Sequence, residues 1–356
     1  MWPKVSIIWL NYNSSRIMPI VLESLESVAN LDYPKDRYEL IVVDNGSRDS
    51  SFEKIKEFLG GKSSLRKKII KLSKNVGFTG GNNIGFKARD RESKYVLLLN
   101  NDAILFQEGL KTLVEYAENY YDVAGLQGVI FQHWTKLMHS AGCYLNELLL
   151  VHVLGAYHEY PWILHKPLYI TYPSGCCALY RVEHVKRCLG DKLFINEFFI
   201  FGDDDVLGLM MWNCGYKLIS VPKPVASHVG GLTLWRKQPI FTRYLLERRR
   251  VALSIITNAR YRQLTPLYSL KNIALSILGT RLSSHSQLLT RSIIDGLKLG
   301  KHLRKKGIFI DIYKAPIVRI SPEDLGLFIT EGIRGRSTQG YFEKWFIENL
   351  DILSVE

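Results

Sequence analysis

The chain has no glycine-rich loop where a nucleotide-cofactor enzyme would need one. The loop after the first strand-like run, residues 11–15 (NYNSS), contains no glycine, and no GxxxxGK[ST] motif occurs in the sequence. Dinucleotide-binding and P-loop folds both need glycine in these loops, because the backbone turns tightly around phosphate. The sequence therefore argues against a dehydrogenase and against a P-loop nucleotidase.

Cysteine motifs are also missing. The five cysteines form an odd set without CxxC spacing: Cys143, Cys176, Cys177, Cys188 and Cys214. Neither a disulfide framework nor a zinc site can be derived from this spacing. We expect reduced, partly buried thiols.

Long apolar runs are absent as well. The best candidate, residues 264–278, is interrupted by Pro266 and Lys271, and the run at residues 5–10 is too short for a signal peptide. The expected protein is cytoplasmic, and at most it is peripheral at the inner face of the cell membrane.

Positive charge is concentrated in the C-terminal third. Residues 1–235 hold 26 Lys/Arg and 24 Asp/Glu, whereas residues 236–356 hold 21 and 10, a balance of +11. A basic tail on a near-neutral body indicates an anionic partner such as membrane lipid, and a solvated basic face is the alternative. Nucleic acid is not the expected partner, because no DNA- or RNA-reading motif accompanies the charge.

Four apolar runs in the first hundred residues predict strands: residues 5–10, 39–43, 68–72 and 95–99. Helix-like spacing separates them, at residues 17–31, 49–58 and 82–89. Near-continuous apolar strands that alternate with helices predict an α/β fold with a parallel sheet covered on both faces. Beyond Trp235 the pattern is mainly helical, so we predict one domain over residues 1–235 and a helical basic region over residues 236–356.

Polar residues follow every one of these strands: Asn11 and Asn13, Asp44 and Asn45, Asn75, and finally Asn100, Asn101 and Asp102. In open α/β sheets, ligands bind outside the carboxyl ends of the strands. The clusters therefore predict one shared pocket. Ordinary turn chemistry is the alternative, since Asn and Asp are common in turns.

Two acidic positions and one histidine are candidates for the chemistry. Asp102, at the end of an apolar strand, offers the hard oxygen ligand that Mg²⁺ or Mn²⁺ needs against a diphosphate, and His228 is a further candidate metal contact. Asp203, Asp204 and Asp205 are consecutive, and such crowding raises at least one pKa, as a general base requires. The alternatives are a turn aspartate, a structural histidine and an acidic helix N-terminus.

Six segments between residues 4 and 235 occur in the order found in one known family: VSIIWLNYNSS, YELIVVDNGSRDSS, NVGFTGGNNIGF, YVLLLNNDAIL, PSGCCALYRVEHV and FFIFGDDDVLGLMMWNCGYKLISVPKPVASHVGG. They resemble the inverting family 2 glycosyltransferases of the GT-A fold, within their rhamnosyltransferase-like and galactofuranosyltransferase-like branch. The resemblance implies a mostly parallel GT-A-type sheet flanked by helices. It also implies transfer of a sugar from a nucleoside-diphosphate sugar to a hydroxyl group, with inversion and with divalent Mn²⁺ or Mg²⁺.

The resemblance implies roles for individual residues. The nucleotide pocket would be lined by Asn11, Asn13, Asp44 and Asn45. A loop from Asn75 to Asn83 would approach the diphosphate and sugar, with Gly77, Gly80, Gly81 and Asn82. The metal-binding DxD motif falls on Asn100, Asn101 and Asp102, and Asp102 with His228 would hold the metal. Asp204 would be the catalytic base and Asp203 its neighbour.

Two positions depart from the family pattern. Asn100 replaces the first acid of DxD, which leaves the metal one carboxylate fewer. Asp205-Val206 reverses the usual hydrophobic-then-acidic order, which leaves the base open between Asp203 and Asp204.

The implied acceptor is a glycan or a lipid-linked hydroxyl. The basic tail, with the aromatics Trp235, Tyr244, Tyr261 and Tyr268, would lie on an anionic membrane surface, or it would pack on the catalytic domain or in a homodimer. Two other functions stay open. A sugar nucleotidyltransferase would need a Gly/Arg/Lys-rich first loop, and a non-catalytic membrane- or glycan-binding module would carry Asn100 as the mark of a decayed metal site.

Overall fold

The computed structural model describes residues 1–230, 239–280, 283–330 and 337–355. The strands in these ranges are β1 Val5–Asn11, β2 Tyr38–Asp44, β3 Lys67–Lys71, β4 Tyr95–Asn100, β5 Ala103–Leu105, β6 Val123–Gln132, β7 Met138–Ser140, β8 Cys143–Asn146, β9 Val151–Val153, β10 Leu168–Tyr169, β11 Cys177–Arg181, β12 Lys217–His228 and β13 Ile317–Val318. The four strands predicted first along the chain are all present, within two residues of their expected ends.

The helices begin between the strands and then dominate the C-terminal third. They are α1 Met18–Ala29, α2 Ser51–Gly60, α3 Gly77–Ala88, α4 Gly109–Asn119, α5 Val182–Leu189, α6 Asp204–Asn213, α7 Pro239–Ile256, α8 Thr265–Thr280, α9 Ser283–Lys305, α10 Leu325–Ile329, α11 Gln339–Glu348 and α12 Leu350–Leu353. None of the described helices combines the length and the apolar character needed to cross a membrane.

One large sheet organises the N-terminal two thirds, in the order β10-β12-β6-β11-β4-β1-β2-β3. β1 pairs in parallel with β2 and β4, and β2 pairs in parallel with β3. β11 enters antiparallel between β4 and β6, and β12 runs parallel to β6. The predicted α/β sheet is confirmed, and its carboxyl edge gathers the ends of β1, β2 and β4.

Alternate residues of β1 face two different hydrophobic cores. Ile7 and Trp9 pack in a core beneath α1, α2 and α4, while Ile8 packs in the core beneath α3 and α6. A strand that is buried on both faces is apolar along nearly its whole length. The apolar run at residues 5–10 therefore predicts β1 without tertiary information.

β12 runs without interruption from Lys217 to His228, through the segment Pro222-Lys223-Pro224. The pairing with β6 shifts register between Ser220 and Pro224. Proline has no N–H to donate, and a bulge lets the strand continue past the missing hydrogen bonds. The continuation carries His228 to the edge where β4 ends.

The helical C-terminal region packs against the first part of the chain. Ala252, Leu253 and Ile256 of α7 lie in the same core as α3 and α6. The cluster Arg248-Arg249-Arg250 is engaged within the protein, because Arg249 pairs with Asp205 and Arg248 donates to the carbonyls of Glu197 and Phe198. This cluster is therefore not an outward basic face.

Of the four tail aromatics expected on a membrane surface, the three that the structure describes are buried or half-buried. Tyr268 is buried, Tyr244 is half-buried and donates to Asp295 at 2.8 Å, and Tyr261 is half-buried. Trp235, at the expected domain boundary, lies outside the described residues.

The expectation of reduced cysteines is wrong for one pair. Cys188 at the end of α5 and Cys214 after α6 form a disulfide, with Cα atoms 5.9 Å apart. The two helices pack side by side, so cysteines 26 positions apart meet. No cysteine spacing motif predicts this pairing. Cys143, Cys176 and Cys177 are free and buried.

Candidate active site

The polar residues after β1, β2 and β4 meet in one buried hydrogen-bond network. Asn11 Nδ2 donates to Asp44 Oδ1 at 2.8 Å, and Asn101 Nδ2 donates to Asn11 Oδ1 at 3.4 Å. The parallel register of β1 and β2 places Asn11 opposite Asp44. The expected convergence of these strand ends therefore occurs, and the fully buried amide of Asn11 holds the three ends together.

Asn13 joins the loop after β1 to the loop after β2. Its backbone N–H donates to Ser47 Oγ at 3.0 Å, and its Oδ1 accepts from the Arg48 N–H at 2.9 Å. Asp44 Oδ2 accepts from the Ser47 N–H at 3.1 Å. The two loops are thereby tied into one wall of the site.

Asn45 and Asn75 connect β2 to the start of α3. Asn45 Nδ2 donates to Asn75 Oδ1 and to the Gly77 carbonyl, each at 3.0 Å. Asn75 Oδ1 also accepts from the Gly77 N–H at 2.8 Å. These two sequence-predicted residues lie together and shape the entry to the helix.

The expected glycine loop after Asn75 is wrong, because α3 begins at Gly77 and includes Gly80, Gly81 and Asn82. A Cβ on Gly81 would lie 2.4 Å from Leu10 Cδ1. Glycine therefore lets this helix pack closely on β1, and Asn82 Nδ2 donates within the helix to the Phe78 carbonyl at 2.9 Å. Gly77 is different, since its φ of +81° is a backbone conformation that favours glycine.

Asp102 and His228 form a buried pair although 126 positions separate them. β5, which follows Asp102, pairs with the end of β12 so that Ala103 lies opposite His228. Asp102 Oδ1 lies 3.0 Å from His228 Nε2. Asn100, the position that departs from DxD, is half-buried and its backbone N–H donates to the Cys176 carbonyl at 3.0 Å. The two predicted metal contacts are therefore brought together by the sheet.

Two residues that the sequence did not single out lie against His228. His139, in β7, places Nε2 3.1 Å from His228 Nδ1. Cys176, in the turn before β11, is buried, and its Sγ and the ligand atoms of both histidines lie within 4.8 Å of one another. Positions 139, 176 and 228 share no spacing, so no sequence signal marks them as a cluster.

The three consecutive acids have different surroundings. Asp205 is buried and pairs with Arg249 of α7. Asp204, in the first turn of α6, accepts from the Gly175 N–H at Oδ2 (2.8 Å), while its Oδ1 is buried and has no hydrogen-bond partner among the described residues. A Cβ on Gly175 would lie 2.4 Å from that Oδ1. Asp205 is thus engaged structurally, and the two candidates for the base remain Asp203 and Asp204.

The turn at residues 174–176 links the acids of α6 to the Asp102–His228 pair. Gly175 holds Asp204, and the adjacent Cys176 lies against His228. The Ser174 N–H donates to Gln127 Oε1 at 2.6 Å, which anchors the turn to β6. Asp204 and His228, on different elements, are therefore held by neighbouring residues of a single turn.

A strained segment places the acids at the start of α6. Phe199 and Phe201 have φ angles of +68° and +59°, and Gly202 follows with +85°. Non-glycine residues rarely adopt such conformations, and they persist where the surroundings enforce them. Asn83 of α3 secures the chain just upstream, because its Oδ1 accepts from the Leu193 and Phe194 N–H groups at 2.8 and 2.9 Å.

Burial and neighbouring charges set the protonation of these groups. Burial raises the pKa of Asp203 to about 6, although backbone N–H groups and Arg249 oppose the rise. Burial and then the Asp203 charge raise the pKa of Asp204 well above its ordinary value. Burial opposes the charged form of His228, yet Cys176 and Asp102 raise its pKa to about 10. The acid pair therefore binds protons more tightly than free carboxylates do, and Asp102 with His228 forms an ion pair.

The Asp102–His228 pair fits a divalent cation that also binds a diphosphate. One carboxylate oxygen and one imidazole nitrogen lie 3.0 Å apart on rigid strand ends. Mg²⁺ and Mn²⁺ commonly take one or two protein ligands and complete their coordination with phosphate oxygens and water. The donor set is sufficient for such a cation, even with Asn100 in place of an acid.

A mostly parallel α/β sheet flanked by helices, with polar side chains gathered at the carboxyl ends of its strands, is the architecture of the GT-A glycosyltransferases. The model of the family "Glycosyl transferase family 2" matches residues 6–189, just over half of the chain. The protein belongs to this family.

Curated relatives match parts of the chain. The poly(ribitol-phosphate) beta-N-acetylglucosaminyltransferase TarS of Staphylococcus aureus is 29% identical over 119 residues, which is 33% of this chain and 19% of TarS. An undecaprenyl-phosphate 4-deoxy-4-formamido-L-arabinose transferase of Proteus mirabilis is 33% identical over 123 residues, which is 34% of this chain and 36% of that protein. The matched segments thus span well under half of these relatives.

Among solved structures, the mannosyltransferase PcManGT of Pyrobaculum calidifontis, in complex with GDP-Man and Mn²⁺, has a TM-score of 0.51 at 14% identity. The match covers 98% of this chain and 88% of that chain. At this identity the likeness shows the fold.

Proposed function

We propose that this glycosyltransferase is a cation-dependent, inverting enzyme that moves a sugar from a nucleoside-diphosphate sugar to a hydroxyl of a glycan or lipid-linked acceptor. The observation that carries the proposal is the state of Asp204. One carboxylate oxygen is held by Gly175, and the other is buried without a partner among the described residues. A buried polar atom without a partner calls for a functional explanation, and an acceptor hydroxyl would supply the missing hydrogen bond.

Asp204 is the proposed general base. Its raised pKa brings it toward the pH at which a carboxylate takes a proton efficiently. The carboxylate accepts the proton of the acceptor hydroxyl while the oxygen attacks the anomeric carbon from the face opposite the leaving group. Burial is the main cause of the raised pKa of Asp204, and the charge of the adjacent Asp203 adds to it.

Asp102 and His228 are the proposed cation ligands. A cation bound there would offset the negative charge that develops on the departing nucleoside diphosphate. The Asn11–Asp44–Asn101 network forms the floor on which the nucleotide would lie, and Asn13, Asn45 and Asn75 hold the adjoining loops. Two structures of similar fold hold Mn²⁺, PcManGT and GalNAc-T7, so Mn²⁺ is the first cation to test.

Thermal unfolding with UDP, GDP, dTDP and CDP, each with and without Mn²⁺, tests the donor site. A ligand that binds only the folded chain raises its apparent stability. We expect a Mn²⁺-dependent rise with one diphosphate, and we expect Asp102→Ala to abolish it. If no diphosphate stabilises the folded chain, the non-catalytic module becomes the better hypothesis.

Transfer with the donor so identified tests the base. Asp204→Asn should lower kcat by about 10²–10⁴-fold and keep the diphosphate-induced stabilisation. Asp32→Asn is the matched control, since Asp32 is an exposed carboxylate outside the site. A product that retains the donor's anomeric configuration by NMR, or an active Asp204→Asn variant, would contradict the proposal.

We also propose that the outer face of α9 contacts an anionic membrane, which would deliver a lipid-linked acceptor at the cytoplasmic side. Ile294 and Leu297 are exposed there, alongside the exposed bases Lys298, Lys301 and Lys305. Apolar side chains flanked by lysines suit an anionic lipid surface, and anionic lipids are concentrated in the cytoplasmic leaflet. The Proteus mirabilis relative is named for an undecaprenyl-phosphate substrate, which agrees with a lipid-linked acceptor.

Liposome flotation tests this face. The wild-type chain should float with anionic vesicles and not with neutral ones, and Lys298→Glu with Lys301→Glu should abolish flotation. Lys54→Glu with Lys56→Glu, on the exposed side of α2, is the charge-matched control. If the α9 variant floats like wild type, the membrane proposal fails. If wild type instead has twice the chain mass by light scattering and the α9 variant does not, the face belongs to a homodimer.

The sugar nucleotidyltransferase alternative receives no support from the family assignment. Its substrates would be a nucleoside triphosphate and a sugar phosphate, and its by-product would be inorganic diphosphate. Release of a nucleoside diphosphate from a nucleotide sugar therefore identifies the glycosyltransferase.

A further inference from the structure

His228 lies between two different sets of possible ligands. Its Nε2 lies 3.0 Å from Asp102 Oδ1, and its Nδ1 lies 3.1 Å from His139 Nε2. The first set is the one used in the proposed function. The second set, which adds Cys176, is composed of softer donor atoms.

The second set has the composition of a zinc site. The ligand atoms of His139, Cys176 and His228 all lie within 4.8 Å of one another, and Cys176 and His228 are buried. Thiolate and imidazole ligands favour Zn²⁺ and its near relatives over Mg²⁺, which prefers oxygen. Cys176 is a free thiol, and Ser174 Oγ donates to its Sγ at 3.4 Å.

The Asp102 carboxylate would orient His228 without binding the zinc itself. A histidine that binds zinc through one nitrogen usually donates its other N–H to a carboxylate, which orients the ring. With zinc on Nδ1 of His228, Nε2 carries the proton and donates to Asp102 across the 3.0 Å contact. The same nitrogen cannot then bind a cation beside Asp102.

We propose that His139, Cys176 and His228 form a binding site for a zinc-class cation, and that its occupation excludes the cation held by Asp102 and His228. The exclusion of the second cation rests on the proposed function, whereas the zinc site does not. The two cations therefore compete for His228. Zinc bound to His228 Nδ1, beside His139, leaves the proton on Nε2, so Nε2 has no lone pair with which to bind a cation beside Asp102.

Cobalt absorption tests the zinc site without any activity measurement. Co²⁺ added to the full-length chain, with the Cys188–Cys214 disulfide intact, should give the near-ultraviolet thiolate-to-cobalt charge-transfer band, and Zn²⁺ should remove the band by displacing Co²⁺. Cys176→Ser should abolish the band, whereas Cys177→Ser, at the next position and also a free buried thiol, should keep it. An absent band, or a band that persists in Cys176→Ser, overturns the proposal.

His139→Ala provides a second variant in case Cys176→Ser does not fold. His139 is the half-buried member of the set, so its replacement is the milder change. It should weaken Co²⁺ binding by at least about tenfold and leave the circular dichroism of the chain unchanged. Unchanged Co²⁺ affinity in this variant would remove His139 from the site and overturn the proposal.

Displacement of Mn²⁺ by Zn²⁺ tests whether the two cations exclude each other. With the stabilising diphosphate present, Zn²⁺ should displace bound Mn²⁺ in the wild-type chain, measured by the electron spin resonance of free Mn²⁺. The displacement should require at least about tenfold more Zn²⁺ in His139→Ala. A chain that binds no Mn²⁺ with any diphosphate but shows the cobalt band would contradict the proposed function and leave the zinc site standing. Zn²⁺ and Mn²⁺ bound together would overturn the competition.

Discussion

The buried ion pair between Arg249 and Asp205 should be a main contact between the C-terminal helices and the acidic end of α6. Both side chains are almost fully buried, with 5% and 3% of their surface exposed. Removing one partner of such a pair leaves the other charge buried and unpaired, which typically lowers stability by about 3–5 kcal/mol. Arg249→Met keeps the alkyl chain and removes the charge, so we expect it to lower the free energy of unfolding by that amount.

The double variant Asp205→Asn/Arg249→Met should lose less than the sum of the two single variants. The amide introduced at position 205 would carry no charge, and its oxygen would still accept from the Val206 N–H, now 2.7 Å from Asp205 Oδ1. We expect a coupling energy of about 1–3 kcal/mol from the double-mutant cycle.

Urea unfolding of the full-length chain, followed by tryptophan fluorescence, measures all members of the cycle. Arg187→Met is the control, because Arg187 pairs with Glu183 on the exposed surface of α5 and its loss should not be resolvable. The reasoning is refuted if Arg249→Met is as stable as the control, or if the effects of the two single variants are additive.

Three further outcomes are expected. Gly208→Ala should lower the free energy of unfolding by about 1–3 kcal/mol, because its Cβ would lie 2.4 Å from Tyr172 Cβ and 2.7 Å from the Thr171 carbonyl oxygen. Gly60→Ala is the control, since a Cβ at position 60 meets no atom within 4 Å and should not lower the stability. Equal stability of the two variants would contradict this expectation. The pKa of Asp203 is about 6 in the folded chain against an ordinary 3.8, so the folded state binds this proton more tightly than the unfolded state does. The free energy of unfolding, measured by urea titration at several pH values, should therefore fall as the pH rises from about 4 through 6. Asp203→Asn should remove this fall. Reduction of the Cys188–Cys214 disulfide, which spans 26 positions, should lower the free energy of unfolding by about 3–4 kcal/mol, and a thiol assay of the unreduced, unfolded chain that titrates all five cysteines would show that the bond is absent.

Local pattern was enough for the parallel half of the sheet. The apolar runs that became β1, β2 and β4 are buried on both faces, so hydrophobicity marks them without tertiary information. The glycines of α3 were misread for a physical reason. A glycine that permits close helix–strand packing and one that bends a loop are the same residue, and only the position of Leu10 against Gly81 distinguishes them.

The sequence singles out a candidate residue where one strand end carries it, and it gives no signal for residues that come together only where several strands meet. Asp102 follows a recognisable strand, whereas His139 and Cys176 acquire their place only when β7, β11 and β12 assemble around His228. The disulfide was missed for the same reason, since the side-by-side packing of α5 and α6 brings its cysteines together.

The sequence by itself determined the alternation of strands and helices, the polar strand ends and the acidic run, because these depend on hydrophobic period and on residue type at neighbouring positions. Tertiary structure alone decided which acid is paired with Arg249, which carboxylate oxygen lacks a partner among the described residues, and which side chains surround His228. Charge pairing and ligand geometry depend on distances between atoms remote in sequence, and those distances exist only in the folded chain.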